Sequence, residues 1–432
     1  MNKRILALAI PNIISNITVP LLGMVDLAIA GRLGSDTAIG AIAVGTAIFN
    51  FIYWNCAFLR MGSSGFTAQA YGARRLDECA NLLVRAMTVA VVLAVLLLVF
   101  QLWVGRFSLW IMQTEGEVRR LAAEYFFARI WAAPATVSLY ATNGWFIGMQ
   151  NSRIPMVVAI VQNIVNIIFS LWFSFGLEMG ITGIAWGTVV SQYTAVAMSW
   201  GCWLLYYRRF GRYISWRESL RLQPMLRFFN VNKDIFLRTA CIVAVYTFFT
   251  SASSAMGQTL LAVNMLLMQL FTLFSYMSDG VAHAAEALTG NFIGARNPGL
   301  LRHAIRNLFG WSAAIAALYV AVYLLCWRGL LGLFTDSPQI IGQAGRYVVW
   351  VVLIPLCGFA PFLLDGIILG ATKSAVLRNS MFLATAVFFA TYYALRPVLG
   401  NDALWLAFIV FLIARGLFQY FMADRLRTLI PE

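Results

Sequence analysis

Charge is what this sequence has least of: 11% of its 432 residues are Asp, Glu, Lys or Arg, where a soluble globular chain carries about 25%. Hydrophobic residues supply 61%, and a core of that size has no polar shell to enclose it. A soluble enzyme, a disordered scaffold and a nucleic-acid module are therefore excluded. Histidine occurs twice and the six cysteines contain no CxxC pair, so no metal or redox motif is present. Acidic residues are scarcer than basic ones, 17 against 31, for a net charge of +14. The basic residues sit between apolar runs rather than in a cluster that could follow a phosphate backbone.

What is present is a succession of long apolar runs. A helix needs about 20 such residues to cross the hydrocarbon core. Runs bounded by Gly, Pro, Asn or charge predict twelve spans, at 5–30, 38–61, 82–104, 121–147, 154–176, 182–207, 234–256, 259–290, 304–327, 345–370, 377–396 and 403–423. The first run passes from Ile5 beyond Leu27 and is too long for the apolar part of a signal peptide. With the N-terminus inside, 20 of the 31 basic residues fall in cytoplasmic segments and 7 in outer loops. The positive-inside rule then places both termini in the cytoplasm. The Arg-rich linker from Tyr207 to Lys233 is expected to lie on anionic lipid, so the partners foreseen are membrane lipids and not nucleic acid.

The two halves echo each other at an offset of 222 residues. Tyr71-Gly72-Ala73-Arg74-Arg75 falls on Ile293-Gly294-Ala295-Arg296-Asn297, Asn143-Gly144 on Asp365-Gly366, Gly148 on Gly370 and Ser152 on Ser374. Leu33-Gly34 meets Met256-Gly257 once a gap of one residue is allowed. Six spans per half is an even number, so both halves enter the membrane in the same sense. The expected fold is an all-α membrane protein of twelve transmembrane helices in two six-helix lobes related by a parallel repeat. Residues 1–215 form the first lobe, 216–233 a basic linker and 234–432 the second lobe. Such repeats are typical of secondary transporters, with sites near the midplane.

A carboxylate inside a spanning helix is costly and marks function by default. Asp26 lies late in the first span. Asn12, Asn16, Val19, Gly23, Asp26 and Ala30 recur at steps of four and three and form one polar or small stripe. Pro11 and Pro20 interrupt the same helix and favour a bend. The structural alternative is an acid that caps a neighbour or meets a buried arginine. Asn163, Asn166 and Ser170 on the fifth span, Tyr140 and Asn143 on the fourth, and Thr188 and Gln192 on the sixth are candidate cavity-lining groups or interhelical hydrogen bonds. In the second half, Asp279 with Arg238 reads as a neutralising pair, and Glu286 as a cap or interfacial group. Asp365 is the mirror of Asn143, whereas Asp26 has Phe249 as its counterpart. Arg60, Arg129 and Arg415 are expected to be interfacial or paired.

The stretches PNIISNITVPLLGMVDLAIAGRLG (11–34), DGVAHAAEALTGNFIGAR (279–296) and LLDGIILGATKSAVLRNSM (363–381) resemble the multidrug and toxic compound extrusion family, in its DNA-damage-inducible protein F branch. The resemblance covers nearly the whole chain. It implies an exporter, not an enzyme, with two lobes that enclose a cleft and expose it alternately to the two sides of the bacterial inner membrane. It implies Asp26 as the ion-coupling residue, Pro11 as the bending point of the first helix, and Asn143, Asn166 and Thr188 as polar cavity positions. Asp365 corresponds to a tenth-helix carboxylate of some branches. Ser170 stands where many relatives carry an aspartate, which weakens a sodium cage and favours protons. The expected activity is antiport of lipophilic, cationic drugs or toxins against protons, with sodium as the alternative ion, no cofactor, and a monomeric carrier. The competing readings are a flippase or exporter of lipid-linked or amphipathic metabolites and a membrane-embedded transferase.

Overall fold

Within lipid no water completes the hydrogen bonding of a bare backbone, so a chain this apolar must satisfy its peptide groups internally. The computed structural model does so with helices and, among the described residues, no strand. It describes residues 1–32, 36–335 and 337–423, without the side chains of 19–22 and 36. The expectation for the Pro20 side chain and the Leu33-Gly34 repeat match therefore lie outside the described residues.

The described chain divides into two compact units, Ile14–Phe229 and Met1–Ile13 with Asn230–Glu432. The first holds α1 from Ile14 onward (the whole helix is Asn2–Arg32), α2 (Asp36–Cys56), α3 (Phe58–Gly72), α4 (Leu76–Val99), α5 (Gln101–Ile111), α6 (Gly116–Arg129), α7 (Ala133–Gly148), α8 (Arg153–Leu171), α9 (Ile181–Tyr206), α10 (Trp216–Ser219) and the start of α11 (Leu222–Ala255). The second holds the first turns of α1, the rest of α11, then α12 (Gln258–Gly294), α13 (Pro298–Gly332), α14 (Pro338–Ala344), α15 (Val348–Gly370), α16 (Ser374–Leu399) and α17 (Asn401–Met422). Both changes of unit fall inside continuous helices.

Ten helical stretches among the described residues are long and apolar enough to cross a membrane. They account for the predicted spans except 121–147 and 182–207. The first of these two falls on α6 and α7, which a short 3-10 turn at Ile130–Ala132 separates. α6 also carries Glu117, Arg119, Arg120 and Glu124, which lower its hydropathy. The second falls on α9, where Thr182, Thr188, Ser191, Gln192, Thr194 and Ser199 interleave with apolar residues. Trp103, Trp110, Leu205 and Leu325 are exposed, apolar surface of the kind a membrane covers.

The segment read as a linker is itself folded. Asn81 Oδ1 accepts hydrogen bonds from the Ser215 amide at 3.0 Å and the Ser219 hydroxyl at 2.9 Å. The Arg85 Nε donates to the Ser219 carbonyl at 3.0 Å, and its Nη1 pairs with Glu78 at 2.6 Å. These contacts fasten α10 to α4, and α11 begins at Leu222, well before the expected residue 234.

The repeat is structural as well as sequential. Arg74 and Arg296 both adopt a positive φ, 57° and 50°, and close their helices with the six-to-one bonds Arg75 N to Ala70 O and Asn297 N to Phe292 O. Gln150 (φ 64°) and Thr372 (φ 55°) do the same at the ends of α7 and α15. At one helix crossing in each unit a glycine is obligatory: a Cβ on Gly144 would fall on the Arg60 carbonyl, and one on Gly366 on the Ala282 carbonyl. One turn on, Gly148 faces Ser64, Thr67 and Ala68, and Gly370 faces Glu286, Thr289 and Gly290. Each pair forms a small-xxx-small crossing that lets two backbones approach closely.

Candidate functional site

Asp26 lies on α1, in the unit Ile14–Phe229, and is 2% exposed. Its Oδ1 has no hydrogen-bond partner, and no cation lies within ion-pair distance of it, among the described residues. Arg129, at the C-terminal end of α6, is near enough to act on it electrostatically but forms no salt bridge with it; Val25, Ile29 and Ala30 of α1 share one apolar cluster with Tyr125 and Ala128 of α6. Arg129 is held elsewhere. Its Nη1 donates to the Tyr125 hydroxyl, one turn back, and its guanidinium lies 5.0 Å from the Phe49 ring centroid and 5.5 Å from that of Tyr125. Phe49 is stacked on Tyr53 and Phe126, which holds the platform in place. The Arg129 Nε has no hydrogen-bond partner among the described residues.

The polar residues of α8 and α9 meet one another. Asn166 Nδ2 donates to the Thr188 hydroxyl at 3.0 Å, Thr188 to the Ile184 carbonyl at 3.2 Å, and Ser170 to the same carbonyl at 3.5 Å. Asn163 reaches α1 instead, donating to the Thr18 carbonyl at 3.3 Å. That bond ties the helix bearing Asp26 to α8, two turns before the acid. Gln192 and Asn143 each keep a buried side-chain oxygen with no hydrogen-bond partner among the described residues. Tyr140 is half-buried where two apolar clusters of this unit meet. Pro11 is buried and α1 runs through it as unbroken helix. The change of unit comes between Ile13 and Ile14.

Asp365, read from the sequence as the second half's counterpart of Asn143 and a cavity group, is held in ion pairs. It belongs to the other unit, where its Oδ2 accepts from both Arg238 and Arg415, and its Oδ1 from Gln419 at 2.5 Å. The knot joins α11, α15 and α17. Sequence reasoning set Arg238 beside Asp279; the structure pairs it with Asp365, because α11 and α17 flank the same turn of α15. Phe249, the counterpart of Asp26, is fully buried and stands edge-on to Trp405 at 4.9 Å. The sequence does not show Arg129 as the residue opposite Asp26. The one available signal was the spacing of Tyr125 and Arg129, one helical turn apart within a predicted span.

Two halves of matching turns and crossings, one with a buried acid and the other with an aromatic core at that position, describe a duplicated membrane carrier. The chain belongs to the MatE family, whose model matches residues 11–172 and 235–394, one block in each half. It is a multi-pass membrane transporter of the multidrug and toxin efflux class, and not an enzyme. It is 36% identical to the DNA damage-inducible protein F of Escherichia coli (strain K12), over 96% of this chain and 90% of that protein. It is 21% identical to the multidrug resistance protein MdtK of Edwardsiella ictaluri, over 99% and 95% of the two chains. The solved outward-facing structure of a multidrug resistance MATE family transporter of the MOP superfamily superposes with a TM-score of 0.89 at 21% identity, covering 100% and 97%.

Proposed function

We propose that this transporter exports lipophilic cations in exchange for protons, and that Asp26 is the group that carries the proton. The supporting observation is a carboxyl group buried in a spanning helix with one oxygen unsatisfied and no salt bridge among the described residues. A permanently ionised acid would demand a paired cation or a full set of donors at that depth. An acid that is neutral in one state and charged in another does not.

In the outward-open state Asp26 takes a proton, and loss of its charge favours release of a bound cation. After the change of access the proton passes to the cytoplasm and the carboxylate again favours a cation. Each inward proton contributes about 2.3 kcal/mol per 100 mV of membrane potential. Coupling requires that proton and drug stabilise different states, since a ligand that binds both equally shifts nothing. Pro11 is the bending point of α1. Asn143, Asn163, Asn166, Ser170, Thr188 and Gln192 supply the polar surroundings on the same unit. Protons are favoured over sodium because Ser170 offers a hydroxyl where a second carboxylate would complete an oxygen cage. The carrier resides in the bacterial inner membrane with both termini cytoplasmic, as the basic residues of its loops direct.

The test uses the full chain in proteoliposomes with imposed pH or sodium gradients, varied separately, and ethidium as probe. Asp26→Asn is expected to insert and fold but to lose gradient-driven ethidium movement. Undiminished transport by well-folded Asp26→Asn protein would falsify the assignment.

A further inference from the structure

The reading of Asp26 leaves an arginine unexplained. Arg129 is 8% exposed, on α6 within a membrane-embedded unit, and has no carboxylate in salt-bridge distance among the described residues. An arginine buried merely for structure is expected to be paired, as Arg238 and Arg415 are by Asp365 and Arg85 by Glu78. Among the described residues Arg129 has only a neutral hydroxyl and two ring faces, with its Nε unsatisfied. Those contacts are strong enough to hold a desolvated guanidinium in place, yet they leave its charge uncompensated. The carboxylate that can compensate it is Asp26: its α1 neighbours Val25, Ile29 and Ala30 pack in one apolar cluster with Phe49, Tyr125 and Ala128, which sets the acid near the arginine, and among the described residues its Oδ1 lacks a partner. The two incomplete groups complement each other.

We infer that Arg129 is a tethered counter-cation for Asp26. When Asp26 holds a proton or faces a cationic drug, Arg129 rests on Tyr125 and Phe49, as in this structure. When Asp26 holds neither, the guanidinium turns to the carboxylate and neutralises it. Drug, proton and Arg129 thus compete for one negative charge. The competition keeps the buried acid from standing bare, and it lets an incoming proton or drug displace an internal ion pair rather than fill an open site. Arg129 is a positioning residue that acts through Asp26. The other titratable groups facing the pair are Tyr125 on the same helix and Tyr53 on α2.

The inference rests on Asp26 as the proton carrier, and the experiment separates the two claims. Ethidium–proton exchange by the full chain in proteoliposomes is measured across pH for the native protein, Asp26→Asn, Arg129→Gln and Arg129→Lys. Removing a nearby cation favours the neutral acid. The Arg129→Gln profile is therefore expected to move to higher pH by about one unit, a tenfold change in proton concentration, while Arg129→Lys stays close to native. An Arg129→Gln profile that superposes on the native one overturns the inference even if Asp26→Asn is inactive. Proton exchange that survives in Asp26→Asn overturns the functional reading itself. If Arg129→Gln is not recovered folded, the double variant Asp26→Asn/Arg129→Gln decides. Recovery of a folded double variant supports the pairing, and loss equal to that of the single variant overturns it.

Discussion

Gly144 and Gly366 stand 222 residues apart in sequence and make the same contact, each with its bare Cα against the carbonyl of a crossing helix, at Arg60 and at Ala282. The backbones are so close that the side chain must be a hydrogen. A leucine at either position is expected to force the helices apart, at a cost of about 3 kcal/mol or more. Thermal unfolding in detergent, followed by loss of monodisperse protein, measures it. Because the crossings are equivalent, Gly144→Leu and Gly366→Leu are predicted to lower the midpoint comparably.

Asp365 pairs with two buried guanidinium groups, so its loss takes a carboxylate from both. Asp365→Asn is expected to destabilise the protein by about 3–5 kcal/mol. Asp26→Asn breaks no ion pair among the described residues and should change stability by less than about 1 kcal/mol. Paired unfolding midpoints in one detergent test the contrast. Equal losses for the two variants would contradict the assignment of one acid to structure and the other to transport.

The bonds from Asn81 and Arg85 decide whether the segment between the halves is folded. Asn81→Leu removes the acceptor for the Ser215 amide and the Ser219 hydroxyl. Limited trypsin digestion is expected to cleave this variant faster than the native chain at Arg217 and Arg221. Unchanged cleavage would mean that the segment is held by something else.

Arg74 and Arg296 adopt a left-handed conformation that costs a side-chain-bearing residue about 1 kcal/mol or more. Arg296→Gly should be neutral or slightly stabilising, and Arg296→Val destabilising, in the same unfolding assay. The paired turns explain the Gly-Ala-Arg echo as a helix end, because the glycine before it and the six-to-one bond after it close both helices alike.

The order of the apolar runs was enough to read an all-helical, duplicated membrane protein, since a bilayer allows a chain of this composition few alternatives. The repeat was legible because its turns and glycine crossings depend on particular residues at fixed positions. Asp26 was legible for a similar reason: a carboxylate among Ile, Leu and Val conflicts with its surroundings, and such conflict is local. The segments 121–147 and 182–207 were read as spans, yet the helices found there fall outside the ten long and apolar enough to cross a membrane, because charges in α6, the 3-10 turn after it and hydroxyl groups in α9 dilute the apolar run.

Partners across helices were decided only by the tertiary structure. Sequence spacing shows which residues share a face of one helix, but not which face of another helix it meets. Asp365 joined to Arg238, Arg415 and Gln419, Asn163 joined to Thr18, and Arg129 brought near Asp26 all depend on how distant spans pack. Composition determined that the chain must enter a membrane and fold as helices. Packing determined which buried charges are paired, as Asp365 is, and which stand without a salt bridge among the described residues, as Asp26 does.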